Sequence, residues 1–279
     1  MSYLQHWNLQ RSPFSIRGNK RGIYVGGSVE EALARSEFLI DHRKQFGLLI
    51  GPRGVGKTTV LDHLAWKRNV RNPREFVVRI DLGGSDAQSI ASCVLGALGQ
   101  EGRHAEAEAW TCTMDHLFSL AAMGHRAVLL LDNLQIDDEY YLRVLSKLWG
   151  NQNEWCTLLS VDDETLVNLP SWVLERSELK IELPAWDLGQ TADYFEFALS
   201  QENANPETFD AQSITRIQEL ADGIPRKIGH IAELTLVAGA VRKAKRITSE
   251  LVDQVCEEFL VTLGPKFPTF WDEQTLNAG

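Results

Sequence analysis

The sequence predicts an α/β fold, a parallel sheet flanked by helices, followed by a small all-α unit. Three observations predict it. Between residues 46 and 183, short apolar runs alternate with stretches of helical periodicity. One run, Ala127-Val128-Leu129-Leu130-Leu131, is apolar without a break, as a strand buried on both faces of a parallel sheet requires. Beyond Trp186 the strand pattern stops and four helical stretches follow one another.

Phe46-Gly47-Leu48-Leu49-Ile50 is the first strand, bounded by the polar Asp41-His42-Arg43-Lys44 and by Gly51. A helix follows from Lys57 to about Arg68. Phe76 to Asp81 is rich in β-branched residues and reads as the second strand. Ser89 to Gly99 places Ile90, Val94, Leu95 and Leu98 at helical spacing, and Trp110 to Met123 continues that pattern. The run ending at Asp132 is the third strand. Glu139 to Trp149 reads as a helix, Cys156 to Val161 as a strand, and the alternating Leu179-Lys180-Ile181-Glu182-Leu183 ends the sheet at Pro184. Helices are then expected over Thr191–Ser200, Ala211–Asp222, Pro225–Arg242 and Thr248–Leu260, with Asp187 or Gln190, Asp210 and Thr248 as capping residues. The boundaries are 1–185 for the sheet domain, 186–263 for the helical domain and 264–279 for a tail.

Composition narrows the function. With 44% hydrophobic and 24% charged residues the chain is an ordinary globular one. Its net charge of −10 hides an asymmetry: residues 1–79 hold 14 basic and 6 acidic side chains, the remainder 14 and 32. A basic first third points to a phosphate-like ligand, and the acidic remainder speaks against a surface that binds nucleic acid throughout. No apolar run approaches the roughly 18 residues of a membrane span, and the polar opening Tyr3, Gln5, His6, Asn8, Gln10 is no secretory leader. Cys93, Cys112, Cys156 and Cys256 are scattered without metal-ligand spacing and read as reduced core thiols, so the expected location is the cytoplasm.

The chemistry is carried by Gly51-Pro52-Arg53-Gly54-Val55-Gly56-Lys57-Thr58, a full GxxxxGK[ST] phosphate loop between a strand and a helix. Its glycines let successive N–H groups converge on phosphate oxygens, and the helix N-terminus adds its dipole. Lys57 is expected at the β- and γ-phosphates and Thr58 on Mg²⁺, with Thr59 completing the loop's contacts. Asp132, ending the buried third strand, is the expected second ligand of Mg²⁺. The pattern is that of a P-loop NTPase. In many oligomeric ATPases of this kind the next residue is a Glu that polarises the attacking water, whereas here it is Asn133. An amide orients water but takes no proton. Either hydrolysis is slow, or a nearby carboxylate such as Asp162 or Asp163 takes over.

Beyond the loop, the sequence resembles the ExeA-type ATPases of general secretion pathways. The resemblance rests on Tyr3-Leu4-Gln5-His6-Trp7-Asn8-Leu9, Pro13-Phe14, Ile23-Tyr24-Val25, Glu31-Ala32-Leu33, the phosphate loop, Asp132-Asn133-Leu134-Gln135 where the family has Asp-Glu-Ala-Gln, and Gly223-Ile224-Pro225-Arg226. It spans about residues 1–260. The family lies in the AAA+ superfamily, with relatives among TniB-type transposition ATPases. The resemblance implies an AAA+ nucleotide-binding domain over 1–185 and a helical lid over 186–263. It places Tyr24 and the N-terminal aromatics near the adenine, where the alternative is core packing. Arg226 would be the lid sensor of the γ-phosphate, Arg176 an arginine finger acting across a subunit interface, and Ser160 a polar sensor at a strand end. Secretion members also carry a membrane segment and a cell-wall-binding module after the ATPase unit. These 279 residues hold the ATPase unit only, so a direct role in envelope remodelling is not expected.

The expected function is an ATP·Mg²⁺-binding ATPase that forms homo-oligomers and acts on a protein client. Two alternatives stand beside it: a non-hydrolysing ATP-gated scaffold, and a DNA-associated regulator like the transposition relatives. For the last, Lys67, Arg68, Arg71, Arg74 and Arg79 are the candidate backbone contacts, with a solvated surface as the other reading.

Overall fold

The computed structural model describes residues 2–14, 23–83, 90–99, 106–134, 142, 146–149 and 154–263. It divides into two compact units. One is Val25–Ala185. The other combines Met1–Tyr24 with the chain from Trp186 onward. In sequence the two units part between Ala185 and Trp186. The N-terminal segment, expected with the sheet domain, instead groups with the helical unit.

The first unit is a sheet between two helical layers. Its helices are α2 (Gly27–Asp41), α3 (Lys57–Arg71), α4 (Ile90–Ala97), α5 (Glu106–Ala122), α6 (Asp163–Asn168) and α7 (Ser171–Arg176); α1 (Tyr3–His6) belongs to the other unit. The strands are β1 (Phe46–Ile50), β2 (Glu75–Asp81), β3 (Arg126–Asp132), β4 (Trp155–Val161) and β5 (Leu179–Glu182). All four pairings are parallel, in the order β2-β3-β4-β1-β5. Every strand therefore ends on the same edge, where ligands of open α/β sheets bind.

Strand alternation sorts the side chains into two cores. Ala127, Leu129 and Leu131 join Phe46, Leu48 and the α4 and α5 residues Val94 and Leu117. Val128 and Leu130 join Leu49, Cys156, Leu158 and the α2 and α3 residues Leu33, Val60 and Leu64. β3 and β4 are buried along nearly their whole length, which explains their unbroken apolar sequence. All four cysteines are free; only Cys156 lies fully in a core, where burial pushes its thiol up to about 12.

The expected strands form with shifts of one residue at their ends. α2, α6 and α7 were not anticipated as helices. Two expectations fall partly outside the described residues. Between 139 and 149, only Leu142 and a 3-10 turn at Ser146–Leu148 are described with helical backbone. The helix expected from Ser89 is described as Ile90–Ala97. The tail 264–279 lies outside them altogether.

The second unit packs α8 (Leu188–Gln201), α9 (Ala211–Leu220), α10 (Pro225–Val241) and α11 (Ser249–Leu263) around the N-terminal aromatics. A capping box joins Asp187 and Gln190 at the start of α8, and Asp210 caps α9 through the Ser213 N–H at 2.7 Å. Trp7 lies against α10: its Nε1 donates to Leu236 O at 2.8 Å, and a Cβ on Gly239 would stand 2.8 Å from its ring. Phe14 packs its ring against Tyr194, Phe195 and Phe209.

Candidate functional site

The site is built on the edge where the strands end. β1 runs into the loop 51–56, and α3 starts at Lys57. Gly51 turns the chain against the end of β5: a Cβ there would stand 2.2 Å from Leu183 O, so no larger residue fits. At Gly56, φ is +108°, and this residue caps α3 without any side-chain hydrogen bond. The first N–H groups of α3 thus meet no capping side chain from Gly56, as an anion site at a helix N-terminus requires. The Lys57 ammonium donates to the loop carbonyls of Gly51 at 2.7 Å and Pro52 at 3.1 Å. Thr58 is half-buried in the first turn of α3, with Thr59 and Arg53 exposed beside the loop.

Asp132 ends β3, two strands from β1 in the sheet. It is 1% exposed. Its Oδ1 accepts from Ser160 Oγ at 2.5 Å, and its Oδ2 from Arg79 Nη1 at 3.2 Å. Alternation explains this grouping. Asp132 follows Leu130 on the α3 face of the sheet, and Ser160 follows Leu158 on the same face of β4. On β2, Arg79 and Asp81 follow Val77 there too. Register places Asp81 beside Asp132. Arg79 ties three carboxylates: Asp62 of α3 at 2.6 Å, Asp132, and Asp81 at 3.6 Å. Burial opposes the charge of Arg79, but Asp62, Asp132 and Asp81 outweigh it and hold its pKa above the usual arginine range.

Asn133 takes the left-handed conformation, φ +55°, which turns its side chain toward β2. Its Nδ2 donates to Asp81 Oδ1 at 3.0 Å, an oxygen that also accepts from the Gly83 N–H at 3.0 Å. Asp162 is committed elsewhere. Its Oδ1 caps α6 through the Thr165 N–H at 2.8 Å. Burial alone would raise its pKa, yet the Thr165 bonds and the charges of Lys57 and Arg53 hold it below the usual range. It is an electrostatic partner of the loop and a poor proton acceptor, and Asp163 lies in the first turn of α6.

The structure therefore brings together the loop of residues 51–59 and the Asp132, Ser160 and Asn133 group on one edge of the first unit. Arg176, at the end of α7, is exposed just ahead of β5, at the opposite edge, where the strands begin. Arg226 lies in the other unit, exposed in the first turn of α10. Neither guanidinium has a partner among the described residues. Tyr24 also belongs to that unit, where its ring packs on Trp186, Tyr194 and Phe197 and its hydroxyl donates to Gln190 O at 3.2 Å. Arg79 and Asp81 were missed as site residues. Their signal was parity with Asp132 at a strand end, readable only once the register is known.

The basic stretch is largely neutralised. Arg68 pairs with Glu75 at 2.5 Å and Asp41 at 2.7 Å, Lys67 with Glu37 at 2.6 Å, and Arg79 as described.

Residues 40–164, from the end of α2 through β4, match the family model of the AAA domain. The match covers the phosphate loop, Asp132 and Ser160 of the AAA domain and stops ahead of Arg176. The chain is also similar to General secretion pathway protein A of Aeromonas hydrophila, 24% identical over 255 residues, which is 88% of this chain. It spans 46% of that relative, about half its length. Among solved structures it is similar to the Aeropyrum pernix ORC1 protein in complex with DNA, with TM-score 0.70 and 18% identity over 89% of this chain and 69% of that one. The ORC2 protein of the same organism, in its ADPNP–ADP complexes, gives 0.63 and 13% over 93% and 73%. The Thermotoga maritima RuvB Holliday junction branch migration motor gives 0.54 and 18% over 84% and 70%. These likenesses fix the fold as a P-loop AAA+ one. Among the described residues no helix is long and apolar enough to cross a membrane.

Proposed function

We propose that the protein is an ATP·Mg²⁺-dependent AAA+ ATPase that assembles with copies of itself and couples nucleotide binding and slow hydrolysis to the recruitment or remodelling of a protein client. The observation that carries this reading is the phosphate loop with Lys57 at the start of α3, on the same sheet edge as the buried Asp132. The residues fit the ligands. The loop backbone, Lys57 and Thr58, with Pro52, Arg53, Gly54, Val55 and Thr59 around them, would hold the phosphates. Thr58 and Asp132 are hard oxygen donors of the kind Mg²⁺ takes, and the ion would neutralise phosphate charge during transfer. Arg176, exposed and unpaired, is suited to act on nucleotide held by a neighbouring copy, and Arg226 to sense the γ-phosphate. Slow hydrolysis follows from Asn133, whose amide accepts no proton. The protein is expected in the cytoplasm.

The test is binding and turnover of ATP by the purified chain, with size measured with and without a non-hydrolysable analogue. Lys57→Ala should abolish tight binding, and wild type should enlarge with the analogue. Wild type that binds no nucleotide overturns the proposal. Binding without turnover leaves the ATP-gated scaffold in its place.

A second reading, a DNA-associated regulator, is favoured by the solved structures of ORC1 in complex with DNA and of a Holliday junction motor. The internal ion pairs of Lys67, Arg68 and Arg79 leave Arg71 and Arg74 as the free part of its proposed contact surface. Marked stimulation of turnover by duplex DNA, falling steeply with salt, would support it. Identical turnover with and without DNA would remove it.

A further inference from the structure

Asn133 is bound to a carboxylate on the adjacent strand. We infer that this carboxylate, Asp81, accepts the proton of the attacking water, in place of the Glu that position 133 lacks. The inference rests on the ATPase reading and names the base for it.

Elimination and geometry point the same way. Asp132 is buried, bonded to Ser160 and Arg79, and assigned to the metal. Asp62 takes the Arg79 Nε at 2.6 Å. Asp162 caps α6. Asp81 differs from these three in being bonded to Asn133 while standing beside Asp132 in register. Its Oδ1 is fixed by Asn133 and Gly83, while its Oδ2 lies 3.6 Å from Arg79 Nη1, beyond a good hydrogen bond. The side chain is 41% exposed, open to water. It is the register partner of Asp132 and shares the sheet face of Asp132, Ser160 and α3. Asn133 is a positioning residue: its left-handed backbone aims the amide at Asp81 Oδ1, and the second oxygen is left without a hydrogen bond, in a 3.6 Å ion pair with Arg79.

The step balances without another reactant. The water oxygen bonds to the γ-phosphorus while the bond from that phosphorus to the β–γ bridging oxygen breaks, and ADP leaves with its electron pair. The water proton passes to Asp81 Oδ2 and is later released to solvent. The base starts one strand farther from the loop than a residue-133 carboxylate, by about 4.8 Å of strand spacing, which agrees with slow turnover.

The test measures turnover and affinity for a fluorescent ATP analogue in wild type, D81N and the exchange D81N/N133D. Loss of the base should lower kcat of D81N roughly a hundredfold, with analogue affinity kept within about threefold of wild type, since no phosphate contact is removed. The exchange keeps an amide facing a carboxylate, and so the local hydrogen bond. It should recover turnover at least about tenfold over D81N. A merely structural Asp81 would not give this split between kcat and affinity. D81N turning over at the wild-type rate overturns the inference and leaves the ATPase reading standing. If D81N does not fold, the exchange decides: a folded, nucleotide-binding exchange variant without turnover overturns the inference. Wild type that binds ATP without hydrolysing it overturns the hydrolytic reading and the inference with it.

Discussion

At the scale of the residue, the site is a set of oppositely charged groups whose partners decide what each can do. Lys57 is held by two loop carbonyls, and Asp132 by one hydroxyl and one guanidinium. Placing a carboxylate at position 133, Asn133→Glu, should raise turnover severalfold or more in a steady-state phosphate-release assay, because a proton acceptor then follows Asp132 directly at the end of β3. The same change should lower stability by about 1 kcal/mol, because residue 133 has φ +55° and Glu tolerates that region less well than Asn. A melting temperature unchanged beside a raised rate would show that the backbone there relaxes. The loop and Asp132 were legible in the sequence because their chemistry is written as residue type at fixed spacing. Arg79 and Asp81 were not, because their role depends on β2 lying beside β3 in one register. Read along the chain, Arg79 was one cation in a basic stretch; in the sheet it is the counterion of three carboxylates.

At the scale of the element, long buried strands were legible and short exposed helices were not. β3 and β4 are apolar on both faces, so only a central strand accounts for them. α6 and α7 have six residues each, too few for a 3.6-residue period to show. Caps carry more of the signal there, as Asp162 does for α6 and Asp187 for α8. Asp187→Ala should cost about 1 kcal/mol through loss of the capping box, read by denaturant unfolding. In the phosphate loop, Gly51→Ala would drive a methyl group into Leu183 O. Loss of nucleotide affinity in a protein whose sheet remains folded by circular dichroism is the expected outcome. Undiminished affinity would mean that β5 yields.

At the scale of the whole molecule, the division into units differs from a simple cut of the chain. None of the described N-terminal residues joins the sheet's cores; Trp7, Leu9 and Phe14 complete the core of the helical unit. Sequence reading placed the boundary at Ala185 because periodicity changes there. It could not place the first residues, since a four-residue helix with scattered aromatics carries no period. Trp7→Ala should destabilise the helical unit by about 3–5 kcal/mol, as for other buried aromatic truncations. Protease sensitivity appearing first in fragments from residues beyond Trp186 would locate the loss. Cleavage appearing first within residues 25–185 would contradict this division.

The seam between the phosphate loop and β5 also gives the molecule a reporter of its own state. The Leu183 N–H donates to Ile50 O at 2.7 Å, one residue ahead of Gly51, which rests on the carbonyl of Leu183. Exchange of that single amide with deuterium is therefore gated by opening of the seam. A ligand that tightens the loop would slow it, so the Leu183 amide can be followed through a nucleotide titration with no label added to the protein.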